Sequence, residues 1–139
     1  MTIQEIEQQI IDEFANFDEW LDRYAYLIDL GKDCPTIDEK DKTDANLIKG
    51  CQSRVWLHCE QREGRLYFRA DSDAVITRGI ISLLIRAFDG QTPADIMAAD
   101  ITFIDTIGLR EHLSPTRSNG LTAMLKQIKM YALAYSVKG

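Results

Sequence analysis

Apolar positions in the first 30 residues recur every three to four places. Ile3, Ile6, Ile10 and Phe14 form one such series, and Trp20, Tyr24, Leu27 and Ile28 form a second. This spacing puts the apolar side chains on one face of a helix, so two amphipathic helices are predicted, the second with Asp18 as N-cap and Gly31 as its stop. The next stretch, "KDCPTIDEKDK" (32–42), holds Pro35 and mixed charges without period and is read as an exposed loop that carries Cys34.

The period then changes to two. Val55, Leu57 and Cys59 alternate with Arg54, Trp56, His58 and Glu60; "REGR" offers a turn; Leu66 and Phe68 alternate with Tyr67 and Arg69. An antiparallel hairpin with one buried face is expected, and "NLIKG" before Cys51 is a candidate third strand. Helical spacing returns in "DSDAVITRGIISLLIRAFDG", with Asp71 or Ser72 as N-cap, Gly90 as its end and an apolar band of Ile76, Ile80, Leu83, Leu84 and Ala87 wide enough for a central helix. Thr92-Pro93 opens a short helix, "ITFIDTIG" another, and a last helix starts at Ser114-Pro115 or Ser118 with Leu121, Met124, Leu125, Ile128, Ala132 and Tyr135 on one stripe. Helices, a small antiparallel sheet of two or three strands, then helices make an α+β layout, not a doubly wound nucleotide fold.

The chain has 139 residues, 45% hydrophobic and 27% charged, with no linker-like stretch and no repeat, so one domain over 1–139 is expected. A net charge of -6 gives no basic field for a phosphate backbone, so no nucleic-acid partner is expected. The acidic N-terminal segment does not read as a secretory signal, and the longest apolar run, "GIISLLI", is far short of the roughly 20 residues of a membrane span. A cytoplasmic location without membrane association is expected, and there three cysteines, an odd number, are better read as free thiols than as a disulfide framework.

Cys51, His58, Cys59 and His112 are all metal-ligand types. At about 3.3 Å per residue, Cys51 and Cys59 at the two ends of one strand stand roughly 26 Å apart, and His58 points to the face opposite Cys59, so they do not share an ion. The same distance keeps His58 from taking a proton from Cys51, while the sequence leaves the position of His112 open. No phosphate-binding glycine motif is present. Cys59, in phase with Val55 and Leu57, reads as a core residue. Cys51 is different: it follows Gly50, precedes the periodic part of the strand, and has Lys49 and Arg54 nearby, two cations that favour the thiolate. On local chemistry alone a reactive thiol and a structural one stand level.

"GCQSRVWL", "DSDAVITRGI", "TPADI" and "HLSPTRSNGL", in this order, together with "YLIDLGK", resemble the SufE family of cysteine desulfuration proteins from about Trp20 to about Lys129. The resemblance implies an α+β fold like that of the U-type iron-sulfur scaffold proteins. It also implies that Cys51, matching the cysteine of "GCQS", takes sulfur as a persulfide from a PLP-dependent, SufS-like cysteine desulfurase. The sulfur then goes to an iron-sulfur scaffold, with no cofactor or metal of the chain's own. In this picture the chain is a sulfur-transfer partner and activator rather than a stand-alone enzyme. Gly50, the candidate hinge, with Gln52 and Ser53 forms the rest of the motif, and Asp73 and Arg117 match family positions expected near the loop and the partner surface. Cys34 and Cys59 lie outside the motif, and Lys49 and Arg54 stand where relatives can carry uncharged residues. Two other readings remain: a thiol-redox protein using Cys51, and a non-catalytic module that activates a partner enzyme.

Overall fold

The computed structural model describes residues 1–51 and 53–138. Among these residues seven α-helices and one hairpin follow in the order α1 (Ile3–Phe14), α2 (Trp20–Lys32), β1 (Val55–Arg62), β2 (Arg65–Ser72), α3 (Val75–Phe88), α4 (Pro93–Ala98), α5 (Phe103–Thr106), α6 (Leu109–His112) and α7 (Pro115–Lys138). The α+β layout expected from the periodicities is therefore present. α1 begins with a reciprocal cap in which Thr2 Oγ1 accepts from Glu5 N–H and the Glu5 carboxylate accepts from Thr2 N–H. It buries Ile3, Ile10 and Phe14.

Both ends of α2 differ from expectation. The N-cap of α2 is Glu19, which makes no side-chain cap, rather than Asp18. Gly31 does not stop α2 but lies inside it, where backbone meets backbone. A Cβ on Gly31 would stand 2.8 Å from Gly79 N, and one on Gly79 only 2.4 Å from Leu27 O. Two glycines thus let α2 and α3 cross at a distance no side chain allows, a packing reason that a local reading of glycine as a helix stop does not contain.

The hairpin is antiparallel, with Val55 opposite Ser72, Leu57 opposite Ala70 and Cys59 opposite Phe68. Its turn is two residues, Glu63 and Gly64, with φ of 52° and 77°, the left-handed pair that matches strand twist. The buried face carries Val55, Leu57, Cys59, Leu66, Phe68 and Ala70. "NLIKG" does not form a full third strand: Leu47 bridges Trp56, Ile48 N–H donates to Val55 O at 2.8 Å, and Leu57 N–H donates to Asn46 O at 2.9 Å. Asp71 and Ser72 do not cap α3; they finish β2, and α3 starts three residues later after Ala74. The period-2 pattern runs on into "ADS" because Ser72 is buried opposite Val55.

α3 is enclosed on most sides, burying Ile76, Ile80, Ile81, Leu83, Leu84, Ile85, Ala87 and Phe88. Thr92 caps α4 by accepting from Asp95 N–H. "ITFIDTIG" yields only the single turn α5, after which Gly108 at φ 79° redirects the chain into α6. α7 buries Leu121, Met124, Ile128 and Ala132. Its Tyr135 hydroxyl donates to Cys59 O at 3.1 Å and its Tyr131 hydroxyl lies 3.0 Å from Leu57 O, which ties the last helix to β1. No described helix is long and apolar enough to cross a membrane.

Candidate functional site

The segment between the Leu47 bridge and β1 leaves the sheet and lies on α7. Gly50 makes the departure possible at φ +95°, a backbone angle that costs a residue with a Cβ, and a Cβ there would come to 3.4 Å from Ala123 Cβ. Cys51 follows, half-buried, with its S–H directed at Gly120 O, 3.6 Å away. Gly120 supplies the acceptor, and a Cβ on it would stand in ordinary van der Waals contact with the thiol, 3.4 Å from Cys51 Sγ.

The far stem of the loop is fastened by backbone groups of Arg54. Arg54 N–H donates to Asp73 Oδ1 at 3.0 Å, Asp73 N–H donates to Arg54 O at 3.3 Å, and the Ser72 hydroxyl donates to the same carbonyl at 2.8 Å. Asp73 is therefore beside the stem of the loop. Under the loop is a hollow of about 10 Å³, with Cys51, Ser53, Thr77, Ile80, Arg117 and Gly120 among its lining residues. Arg117 is exposed and holds its guanidinium by donating to the Tyr24 hydroxyl at 2.8 Å. Gln52 lies outside the described residues. The fold thus brings Gly50, Cys51, Ser53, Asp73 and Arg117 to one place from three separate stretches of chain.

The electrostatic expectation for Cys51 is corrected. Burial pushes its thiol above the ordinary value, and no cation among the described residues opposes it. Lys49 and Arg54 are exposed to water, while the thiol turns toward α7 and its carbonyl acceptor, so sequence proximity does not become proximity of charge. In this position burial disfavours the thiolate.

The other two thiols are less available. Cys34 is not exposed, as its charged loop suggested, but 5% accessible, with its S–H near Pro35 O and Ala70 O. Burial first, and Asp71 second, push its pKa up to about 11. Cys59 is 4% accessible, and burial together with Asp89 and Glu60 pushes it to about 12. His112 stacks on Trp20 with ring centroids 4.2 Å apart, His58 faces a surface groove with Asp38 and Arg69, and neither histidine lines the Cys51 hollow. Among the described residues no group of three or more His, Cys, Asp or Glu side chains could hold a metal ion. Gly120, Ala123, Tyr24 and Thr77 belong to the site but were not singled out from the sequence. The signal for Gly120 was a glycine inside a helical stretch in "RSNGL", where glycine disfavours the helix.

The profile of the family described as "SufE: Fe-S metabolism associated domain" matches residues 8–132. The chain belongs to the SufE family. Fe-S metabolism is thus the field in which this SufE-family chain stands. It is 43% identical over 129 residues to an uncharacterized SufE-like protein of Rhizobium meliloti (strain 1021), covering 89% of this chain and 92% of that one. It is 41% identical over 126 residues to an uncharacterized SufE-like protein of Rhizobium etli, covering 87% and 85%. Its fold is similar to the solution structure of a hypothetical protein from Thermus thermophilus, with a TM-score of 0.76 at 19% identity over 93% of this chain and 94% of that one.

Proposed function

We propose that the chain, acting as one SufE-like domain, accepts sulfane sulfur on Cys51 from a PLP-dependent cysteine desulfurase and hands it to an iron-sulfur scaffold. The observation that carries this reading is the contrast among the three cysteines: Cys34 and Cys59 are buried, and Cys51 alone is partly open, on a loop held down by a glycine turn and one thiol–carbonyl contact. The step is thiol exchange on a persulfide. Cys51 thiolate attacks the outer sulfur of the partner's Cys–S–SH, a new S–S bond forms to that sulfur as the old one breaks, and the partner cysteine leaves as thiolate. The proton of Cys51 goes to solvent or to a base of the partner, and no electrons enter or leave the pair.

Burial of the thiol supports a two-position cycle. Docked on α7, Cys51 is half-buried against Gly120 O, and burial disfavours its thiolate. Swung out about Gly50, it regains water and the ordinary ionisation of a thiol, and enters the partner's active site. Asp73 holds the stem during that swing through Arg54 N–H, so that only the tip has to move.

The test is incubation with a desulfurase and cysteine, followed by mass spectrometry of the Cys51 peptide. One added sulfur is expected, and none in Cys51→Ser with its fold intact. Unchanged loading in the serine variant would give the role to another residue. A thiol-redox role needs a resolving thiol, and the burial and raised pKa of Cys34 and Cys59 count against one. A purely activating module predicts that Cys51→Ser still stimulates the desulfurase.

A further inference from the structure

Charge is spread unevenly along the chain. The stretches 45–59 and 113–137 carry Lys49, Arg54, Arg117, Lys126 and Lys129 and no aspartate or glutamate, so all 22 carboxylate side chains lie elsewhere. The fold lays these two stretches against each other: Cys51 rests on Gly120, and the Tyr131 and Tyr135 hydroxyls reach Leu57 O and Cys59 O. Segments that carry only positive charge thus join on an otherwise acidic molecule. Lys49 and Arg54, exposed and without a role in lowering the Cys51 pKa, belong to them.

On the side of α7 away from its buried residues, Thr122, Lys126, Met130, Leu133 and Val137 follow at spacings of four, four, three and four, which sets them in one line along the helix. All five are exposed, Met130, Leu133 and Val137 at 52%, 55% and 80%. Met97 of α4 widens the apolar end, with its Sδ 4.0 Å from Ser136 Oγ. Lys129 is not in the line, because its Nζ donates to Ala99 O at 2.6 Å and holds α4. Asp105 comes near the start of the line through Arg110, which donates to Thr122 Oγ1 at 3.3 Å, and there the carboxylate is paired with that guanidinium at 3.3 Å. The line begins beside the Cys51 loop, since a Cβ on Gly50 would touch Ala123. At 1.5 Å per residue, Leu133 stands about 20 Å along the helix from Gly120.

We propose that this line is a second docking point for the desulfurase that loads Cys51. The matching partner surface is an apolar spot ringed by carboxylates, about 20 Å from the opening that the loop enters. Charge selects its sign: Lys126, with Lys49 and Arg54, attracts an acidic surface and speeds encounter, while Met130, Leu133 and Val137 supply the apolar area that holds it. Continuity selects its kind, because the line runs up to the Cys51 loop on one helix and a protein that takes the loop lies over both. A second copy fits poorly, since pairing this face with itself sets cation against cation. Anionic lipid matches the charge but brings no sulfur to the loop. The helix is a rigid arm and the loop is its movable tip, so the line holds the partner while Cys51 swings. This rests on the carrier reading above and adds where its donor binds.

The experiment uses the full chain carrying Lys126→Glu and Leu133→Glu together, both at exposed positions and both compatible with a helix. With cysteine present, the rate at which a desulfurase loads Cys51 is measured against chain concentration; loading by inorganic polysulfide is measured without the enzyme. KM for the chain is expected to rise about tenfold, as for loss of central apolar and charged contacts, with kcat and polysulfide loading unchanged. Added salt should raise the KM of wild type more than that of the variant. An unchanged KM overturns the proposal. So does slower polysulfide loading, since the substitutions then act through the Cys51 loop. If wild type self-associates, or binds phosphatidylglycerol vesicles, and the variant loses this while KM holds, the occupant is a second copy or a lipid surface and the proposal falls. Failure of the desulfurase to load wild-type Cys51 overturns the carrier reading. Calorimetric titration of the chain into the enzyme without cysteine then decides the docking line, which stands if the double variant binds about tenfold more weakly and falls if it binds equally.

Discussion

Cys51 and Cys59 are eight residues apart and have the same side chain, yet their surroundings make them opposites. Cys59 sits in β1, paired across the hairpin with Phe68, its carbonyl held by Tyr135 and its thiol pushed to about 12. Cys51 sits where the ladder has ended, on a backbone turned aside by Gly50, with one weak thiol–carbonyl contact. The lesson is that the backbone carrying a thiol, more than the charges beside it in sequence, decides whether it can be presented. Lys49 and Arg54 flank Cys51 without lowering its pKa.

The sharpest way to break this contrast is to alkylate the native protein and follow the three cysteine peptides by mass spectrometry. Cys51 is expected to react on the order of 10³-fold or more faster than Cys59, because Cys59 has to wait for opening of the core. Comparable rates would show that the two environments are dynamically alike. The pH dependence has a definite sign. Burial raises the Cys51 pKa, so the docked loop keeps its full stability below the ordinary thiol value of 9.0 and loses it as pH climbs through the raised one. The alkylation rate should therefore still be rising above pH 9.0.

Next in size is Cys59→Ser, which places a hydroxyl on the apolar face of the hairpin and should cost about 1–3 kcal/mol in urea unfolding. Loading of Cys51 should be unaffected. Gly50→Ala comes third: the left-handed angle costs about 1–2 kcal/mol if the loop stays docked. If the loop is releasable, it undocks instead, Tm barely moves, and Cys51 alkylates faster. A full loss in Tm with unchanged alkylation would mean that loop and core melt as one unit. The smallest effect is expected for Asp73→Asn. Its amide oxygen can still accept from Arg54 N–H, so stability should stay within about 0.5 kcal/mol, whereas Asp73→Ala removes the latch and should quicken Cys51 alkylation.

Some elements were legible before the fold was known. α1, the hairpin, α4 and the buried stripe of α7 follow from periodicity and caps, because a helix or strand exposes its repeat in local order. The motif around Cys51 pointed to the family, and the family match bears that out. The errors share one cause. Gly31 read as a stop, Asp71 and Ser72 as a helix cap, and Cys34 as exposed all rest on what a residue favours locally. In the fold, each is overruled by a partner distant in the chain: Gly79 for Gly31, Val55 for Ser72, and Ala70 for Cys34.

The sequence by itself determined the α+β order of elements, the family, and the candidate cysteine, since these depend on residue type and spacing along the chain. Only the tertiary structure decided that the Cys51 thiol rests against Gly120 O, that Asp73 fastens the loop stem, and that Thr77 and Arg117 line its hollow. The reason is physical: pKa, shelter and fastening are set by distances across space, and the residues that set them here come from the hairpin, α3 and α7, which lie far apart in the chain.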